Sequence, residues 1–224
     1  MNNDFETFKS NWQRFNPGNT PELEARMLKQ YQQYLQDRAD MDVFEPVNEG
    51  DRRSRLSNYD KELQAFLQPD ALTSIPFYYL IQPSFTGESL LILEQHEKEY
   101  QLTYLELSKN YFQFIYYQKN EEPVKTITQR ELSKPLGDRL MTLLGKNIRQ
   151  ARNPDAQRIV LDGTQYRLSM MIDGEPKQVF KHSPSPDSQT GRIIDLLDKL
   201  VSYTKDRIYT ITAIELALYE LEQQ

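Results

Sequence analysis

Near residue 76 the chain changes its hydrophobic period, and that change dictates what kind of fold it can reach. Before it, apolar residues recur three and four apart. Phe5, Phe8, Trp12 and Phe15 step by three, four and three, which puts four aromatic rings on one side of a short helix. Asn16-Pro17-Gly18-Asn19 stops it. Thr20-Pro21 then supplies an N-cap and a first-turn proline, with Glu22 and Glu24 near the positive end of the helix dipole. Leu23, Met27, Tyr31, Tyr34 and Leu35 form the face of that second helix. After a polar stretch over 41–56, Ser57 caps a third helix with Tyr59, Leu63, Phe66 and Leu67 on one side, ended by Pro69.

Beyond residue 76 the runs are short, β-rich and separated by turn residues. Phe77–Ile81, Leu90–Leu93, Tyr100–Leu105 and Tyr111–Tyr117 read as four strands with hairpin-sized connections, so antiparallel pairing is the expected topology. Val124–Thr128 reads as a further short strand. Residues 135–149 turn helical, with Leu136, Leu140, Leu143, Leu144 and Ile148 on one face. The order then recurs. Arg158–Leu161 and Tyr166–Ile172 read as strands around Asp162-Gly163, and Asp173-Gly174 turns the chain into Lys177–Phe180. Ser183-Pro184-Ser185-Pro186 breaks the sheet before a helix over 190–203 that turns Ile193, Leu197, Leu200 and Val201 inward. Ile211, Ile214, Leu218 and Leu221 predict a last helix over 207–222.

The expected fold is therefore α+β. An N-terminal helical section, 1–75, precedes an α+β domain, 76–224, in which amphipathic helices pack on an antiparallel sheet. Within that domain the order of strands followed by a helix occurs twice, over 77–149 and 157–204. No residue-by-residue identity links the two halves.

Composition narrows the function. The 224 residues contain no cysteine, which excludes disulfides, thiolate catalysis, Cys-ligated zinc and iron–sulfur clusters. Lys and Arg number 27 against 33 Asp and Glu, a net charge of −6, and no third of the chain is basic. Nucleic-acid binding through phosphate neutralisation thus has no electrostatic support. Neither a leader-like amino terminus nor an apolar run of membrane length is visible, so the expected setting is cytoplasmic, with no membrane partner.

Motifs that carry chemistry are sparse. Of the two histidines, His96 lies in His-Glu-Lys-Glu without the second His of a zinc helix, and reads as a solvated turn residue. His182 ends a strand, and no Gly-x-Ser-x-Gly elbow accompanies it. Gly137 and Gly145-Lys146 lack phosphate-loop spacing, and no Gly-x-Gly pair occurs. Asp162, Asp173 and Glu175 coincide with turns, which explains them without catalysis. The basic run Arg52-Arg53-Ser54-Arg55 has Glu45, Glu49 and Asp51 beside it, and local neutralisation is the favoured reading. No catalytic, cofactor-binding or metal residue is singled out, and no cofactor is expected.

What stands out is aromatic. Read as a strand, Tyr111–Tyr117 places Phe112, Phe114 and Tyr116 on one face and Tyr111, Ile115 and Tyr117 on the other, both nearly apolar. Core is the favoured role for such residues, with an interface as the alternative, because tyrosine joins a large apolar body to a polar tip. On the last helix, Tyr209, Leu216 and Tyr219 fall off the main apolar stripe. Tyr111, Tyr117, Tyr209, Leu216 and Tyr219 are therefore the candidate partner-binding residues. The expected function is a non-enzymatic, protein-binding component of the immunity, adaptor or assembly-subunit type, its partner another protein or itself. The alternative is an enzyme or small-ligand binder with a site between sheet and helices. Convergence of Arg167, Tyr166 or His182 on one pocket favours that alternative, and an exposed aromatic patch favours the first reading.

Overall fold

In the computed structural model, residues 3–18, 20–48, 57–67, 75–117, 121–154, 162–205 and 209–223 are described. Two helices come first, α1 (Asn3–Phe15) and α2 (Pro21–Met41), followed by a two-residue strand β1 (Glu45–Pro46) and helix α3 (Asn58–Leu67). The aromatic stripe of α1 lies on α2, with Phe5 and Phe8 both against Tyr31 at 4.8 and 5.2 Å between ring centres. Both caps read from the sequence form. Thr20 Oγ1 accepts the Leu23 N–H at 3.3 Å. Ser57 Oγ accepts the Asp60 N–H at 3.1 Å, while the Asp60 carboxylate takes the Ser57 N–H in return at 2.8 Å.

The remaining elements are β2 (Phe77–Pro83), β3 (Ser89–Gln95), β4 (Glu99–Leu107), α4 (Tyr111–Tyr117), β5 (Lys125–Ser133), α5 (Lys134–Arg149), β6 (Thr164–Ile172), β7 (Glu175–His182), α6 (Gln189–Lys205) and α7 (Ile211–Glu222). Among the described residues every strand pairing is antiparallel, in one seven-stranded sheet of order β1-β7-β6-β2-β3-β4-β5. The expected α+β class is the observed one. Asp173 and Gly174 form the β6–β7 turn with φ of 55° and 84°, the left-handed pair that a two-residue hairpin requires.

Period-2 alternation splits the sheet into two faces. Phe77, Tyr79, Leu91, Leu93, Leu102 and Leu168 point to the side covered by α5, α6 and α7. Leu136, Leu140, Leu144, Ile193, Leu197 and Leu200 are buried against them, as their helical spacing implies. Tyr78, Leu80, Leu90, Ile92, Leu105 and Leu107 point the other way, toward Leu63 and Leu67 of α3 and Tyr111 of α4.

The structure corrects several boundaries. Tyr111–Tyr117 is a helix, not a strand. Its composition favours a strand, but Asn110 Oδ1 accepts the Gln113 N–H at 3.0 Å and the Glu88 carboxylate accepts the Tyr111 N–H at 2.8 Å. A cap and an anion at the helix start outweigh weak β propensity. The fourth strand of the meander is instead β5, which runs on to Ser133. Helix α7 starts at Ile211 rather than at 207, because Thr210 caps it. It rests on α5 and α6, whereas α1 packs on α2. The strand expected at Arg158–Leu161 and the basic run Arg52–Arg55 lie outside the described residues.

Candidate partner-docking surface

Helix α4 is short, and what fixes it is a polar frame beneath it. Asn110 is buried and its Nδ2 donates to Pro83 O and Thr86 O at 3.1 and 3.0 Å, tying the helix start to the β2–β3 connection. Glu88 is fully buried. One of its oxygens accepts the Tyr111 N–H and the other accepts the Tyr59 hydroxyl of α3. Burial and this carboxylate together push the Tyr59 phenol far above its ordinary range, so it stays a neutral donor.

Next to this frame runs a buried ionic network. The Arg167 guanidinium of β6 donates through Nη2 to Asp60 Oδ2 at 2.8 Å and through Nε to Gln82 Oε1 at 2.9 Å. Gln82 in turn donates to Asp60 Oδ1 at 2.9 Å. Burial pulls Arg167 below its ordinary value and the Asp60 charge opposes that pull. Burial also raises the neighbouring Tyr78 phenol to about 12. These bonds hold α3 against the sheet and leave the Arg167 Nη1 buried without a hydrogen-bond partner among the described residues.

Helical geometry then sorts the aromatic run differently from strand geometry. Tyr111 is only 8% exposed and stacks on Phe66 of α3 with centres 4.6 Å apart. Phe112, Tyr116 and Tyr117 face outward at 41, 53 and 59% exposure. They also touch one another: Phe112 lies 4.5 Å from Tyr116 and 6.3 Å from Tyr117, and its other side meets Tyr59 edge-on at 5.3 Å. The result is a ring cluster standing on a buried foundation. Burial raises the Tyr111 phenol, and Glu62 and Glu122 add to the shift.

The structure thus separates the candidate residues. Tyr111 belongs to the foundation and Tyr117 to the exposed cluster. Tyr209, Leu216 and Tyr219 are exposed on the opposite side of the sheet, with α7. Phe112 and Tyr116 are the members that sequence reasoning left in the core. The signal for them was present: Asn110 followed three residues later by Gln113 is a helix-start pattern.

A second feature is a cleft of about 290 Å³ between the end of α2 and the end of β7, lined by Asp40, Glu45, Lys181 and His182 among others. Lys181 Nζ donates to Asp40 O at 2.6 Å and to Glu45 Oε1 at 3.2 Å, while Arg152 pairs with Asp40 Oδ1 at 2.7 Å. Burial lowers the His182 pKa from its usual 6.5, and the ring's Nδ1 is enclosed without a hydrogen-bond partner. Arg167 and Tyr166 do not join this cleft. Arg167 is buried with Asp60, and Tyr166 stacks on Tyr79 at 6.0 Å on the other face. Among the described residues no group of three His, Asp or Glu side chains could hold a metal, and no helix is long and apolar enough to cross a membrane.

Compared with models of known families, with curated proteins and with solved structures, the chain matches none.

Proposed function

We propose that this chain is a non-enzymatic, cytoplasmic protein-binding component, of the adaptor, immunity or assembly-subunit type, that docks an apolar segment of another protein on α4. The observation that carries the reading is the ring cluster Phe112, Tyr116 and Tyr117, exposed and in mutual contact on a helix held by buried Glu88 and Asn110. Rigid, partly exposed aromatics lose little entropy on binding and are the side chains that dominate interface energetics.

A photo-crosslinking residue placed at Tyr116, with one at Tyr219 as the control, tests this in cells. Position 116 should trap a second polypeptide, and Phe112→Ala or Tyr117→Ala should weaken that complex roughly tenfold or more without moving the melting temperature. Crosslinks confined to position 219 would overturn the proposal. The cleft at His182 supports a second reading, small-ligand binding, because an enclosed ring nitrogen there lacks a partner. A ligand that shifts the His182 ring resonances, with those of α4 unmoved, would favour it.

A further inference from the structure

Strand β5 ends the sheet, so among the described residues one of its edges has no strand beside it. Its inner side shows which groups that edge presents. The Ser108 N–H donates to Val124 O at 3.0 Å, and the register continues with Glu106↔Thr126, Tyr104↔Thr128 and Leu102↔Arg130. The backbone groups of these even-numbered β5 residues therefore face β4, and those of Lys125, Ile127, Gln129 and Glu131 face away from it. The side chains of the same four residues are exposed on the α3–α4 face, and Ile127 is 60% exposed. An edge of this length is a template for one more strand.

The sequence of the edge indicates which strand fits. We infer that β5 pairs with β5 of a second copy of this chain, antiparallel, with Thr128 opposite Thr128. In that register Lys125 of each copy stands opposite Glu131 of the other, giving two opposite-charge pairs on one face. Ile127 stands opposite Gln129, and the two Ile127 side chains become diagonal neighbours across the axis, within side-chain reach. Neighbouring registers lose the match. Centring on Gln129 puts Glu131 opposite Ile127, and centring on Ile127 puts it opposite Pro123.

The required side chains are available. Glu131 is exposed, and Lys125 has its Nζ over the Phe66 ring at 4.2 Å, a cation–π contact, with no carboxylate paired to it among the described residues. Arg130, whose charge could compete, points to the other face and is held by Tyr203 O at 2.5 Å. Glu131 O accepts the Tyr203 hydroxyl at 3.4 Å, a long contact that a strand hydrogen bond would displace.

Sedimentation and light scattering of the full chain across a concentration series test the pairing. The unaltered chain should associate to twice its mass. Lys125→Glu and Glu131→Lys should each weaken association roughly tenfold or more, since both opposite-charge pairs become like-charge pairs. The double variant Lys125→Glu/Glu131→Lys should recover it. Ile127→Pro, which removes an outward N–H where an edge tolerates proline, should give a monomer with an unchanged far-ultraviolet spectrum. Hydrogen exchange at the Ile127 and Gln129 amides of the unaltered chain should slow as concentration rises, a readout that survives if a variant fails to fold. A chain that stays monomeric to millimolar concentration overturns the inference, as does a double variant that folds but does not recover. Phe112→Ala should leave the dimer intact, which keeps this result separate from the α4 docking test.

Discussion

The two faces of the sheet are closed by different chemistry. On the α5–α7 face, leucines and isoleucines from three helices meet an apolar sheet surface, and polar contacts such as Tyr79–Asp198 and Tyr100–Asp138 sit where a phenol reaches a helix carboxylate. On the α3–α4 face, a smaller apolar cluster shares its space with Asp60, Gln82, Glu88 and Arg167. The first face gains its stability from area removed from water. The second depends on charges that must stay paired, and it carries aromatic rings turned outward on a buried polar frame. The difference separates a face closed by apolar area from one closed by paired charges.

The comparison can be broken at its sharpest point. Asp60→Ala leaves Arg167 buried without its counterion and is expected to cost about 3–5 kcal/mol in urea unfolding. Replacing both partners, Asp60→Leu with Arg167→Met, should recover most of that loss, because the penalty belongs to an unpaired charge rather than to the space it fills. A double variant as unstable as the single one would show that the network's hydrogen-bonding shape, not its charge balance, holds α3. On the other face, Leu197→Ala should cost about 2–5 kcal/mol with no such rescue available from a polar partner.

These two faces were not equally legible. The α5–α7 face follows from spacing alone: Leu136, Leu140 and Leu144 step by four, and alternation in β2–β4 marks the residues they meet. The β6–β7 hairpin was equally readable, because Asp173-Gly174 supplies the backbone conformation that its turn requires. The α3–α4 face was not. Its anchors join residues far apart in sequence, Asp60 to Arg167 and Tyr59 to Glu88, and no local pattern announces such pairs. Helix α4 was misread because a strand-like composition was weighed without its cap, and the exposed rings Phe112 and Tyr116 were lost with it. Of the two candidates on this helix, Tyr117 is exposed and Tyr111 is buried against Phe66.

A smaller test follows from that cap. Asn110→Ala removes the hydrogen bond to Gln113 N together with those to Pro83 O and Thr86 O and should cost about 2 kcal/mol, seen as faster hydrogen exchange in 111–117 while α5 and α6 keep their protection. The smallest effect concerns pH. Burial holds His182 below its ordinary 6.5, so the unfolded chain binds more protons than the folded one as pH falls. Its contribution is present above 6.5 and is lost on acidification through the depressed folded value. His182→Gln should flatten the melting temperature over that interval, and an unchanged pH slope would place the titration elsewhere.

The position of β2 in the sheet has a consequence for synthesis. It is the first long strand made, yet it ends in the middle, with β3 on one side and β6 on the other. A ribosome delivering the chain from its amino end can complete the local meander β2–β5 and dock α5 while Phe77–Pro83 still lacks its second neighbour. For that interval the nascent chain presents a Tyr-rich, apolar edge that only the later hairpin β6–β7 can close, the kind of surface on which incomplete chains associate. A chain stopped after α5 should therefore need a chaperone to stay dispersed, whereas the finished chain hides that edge at its centre.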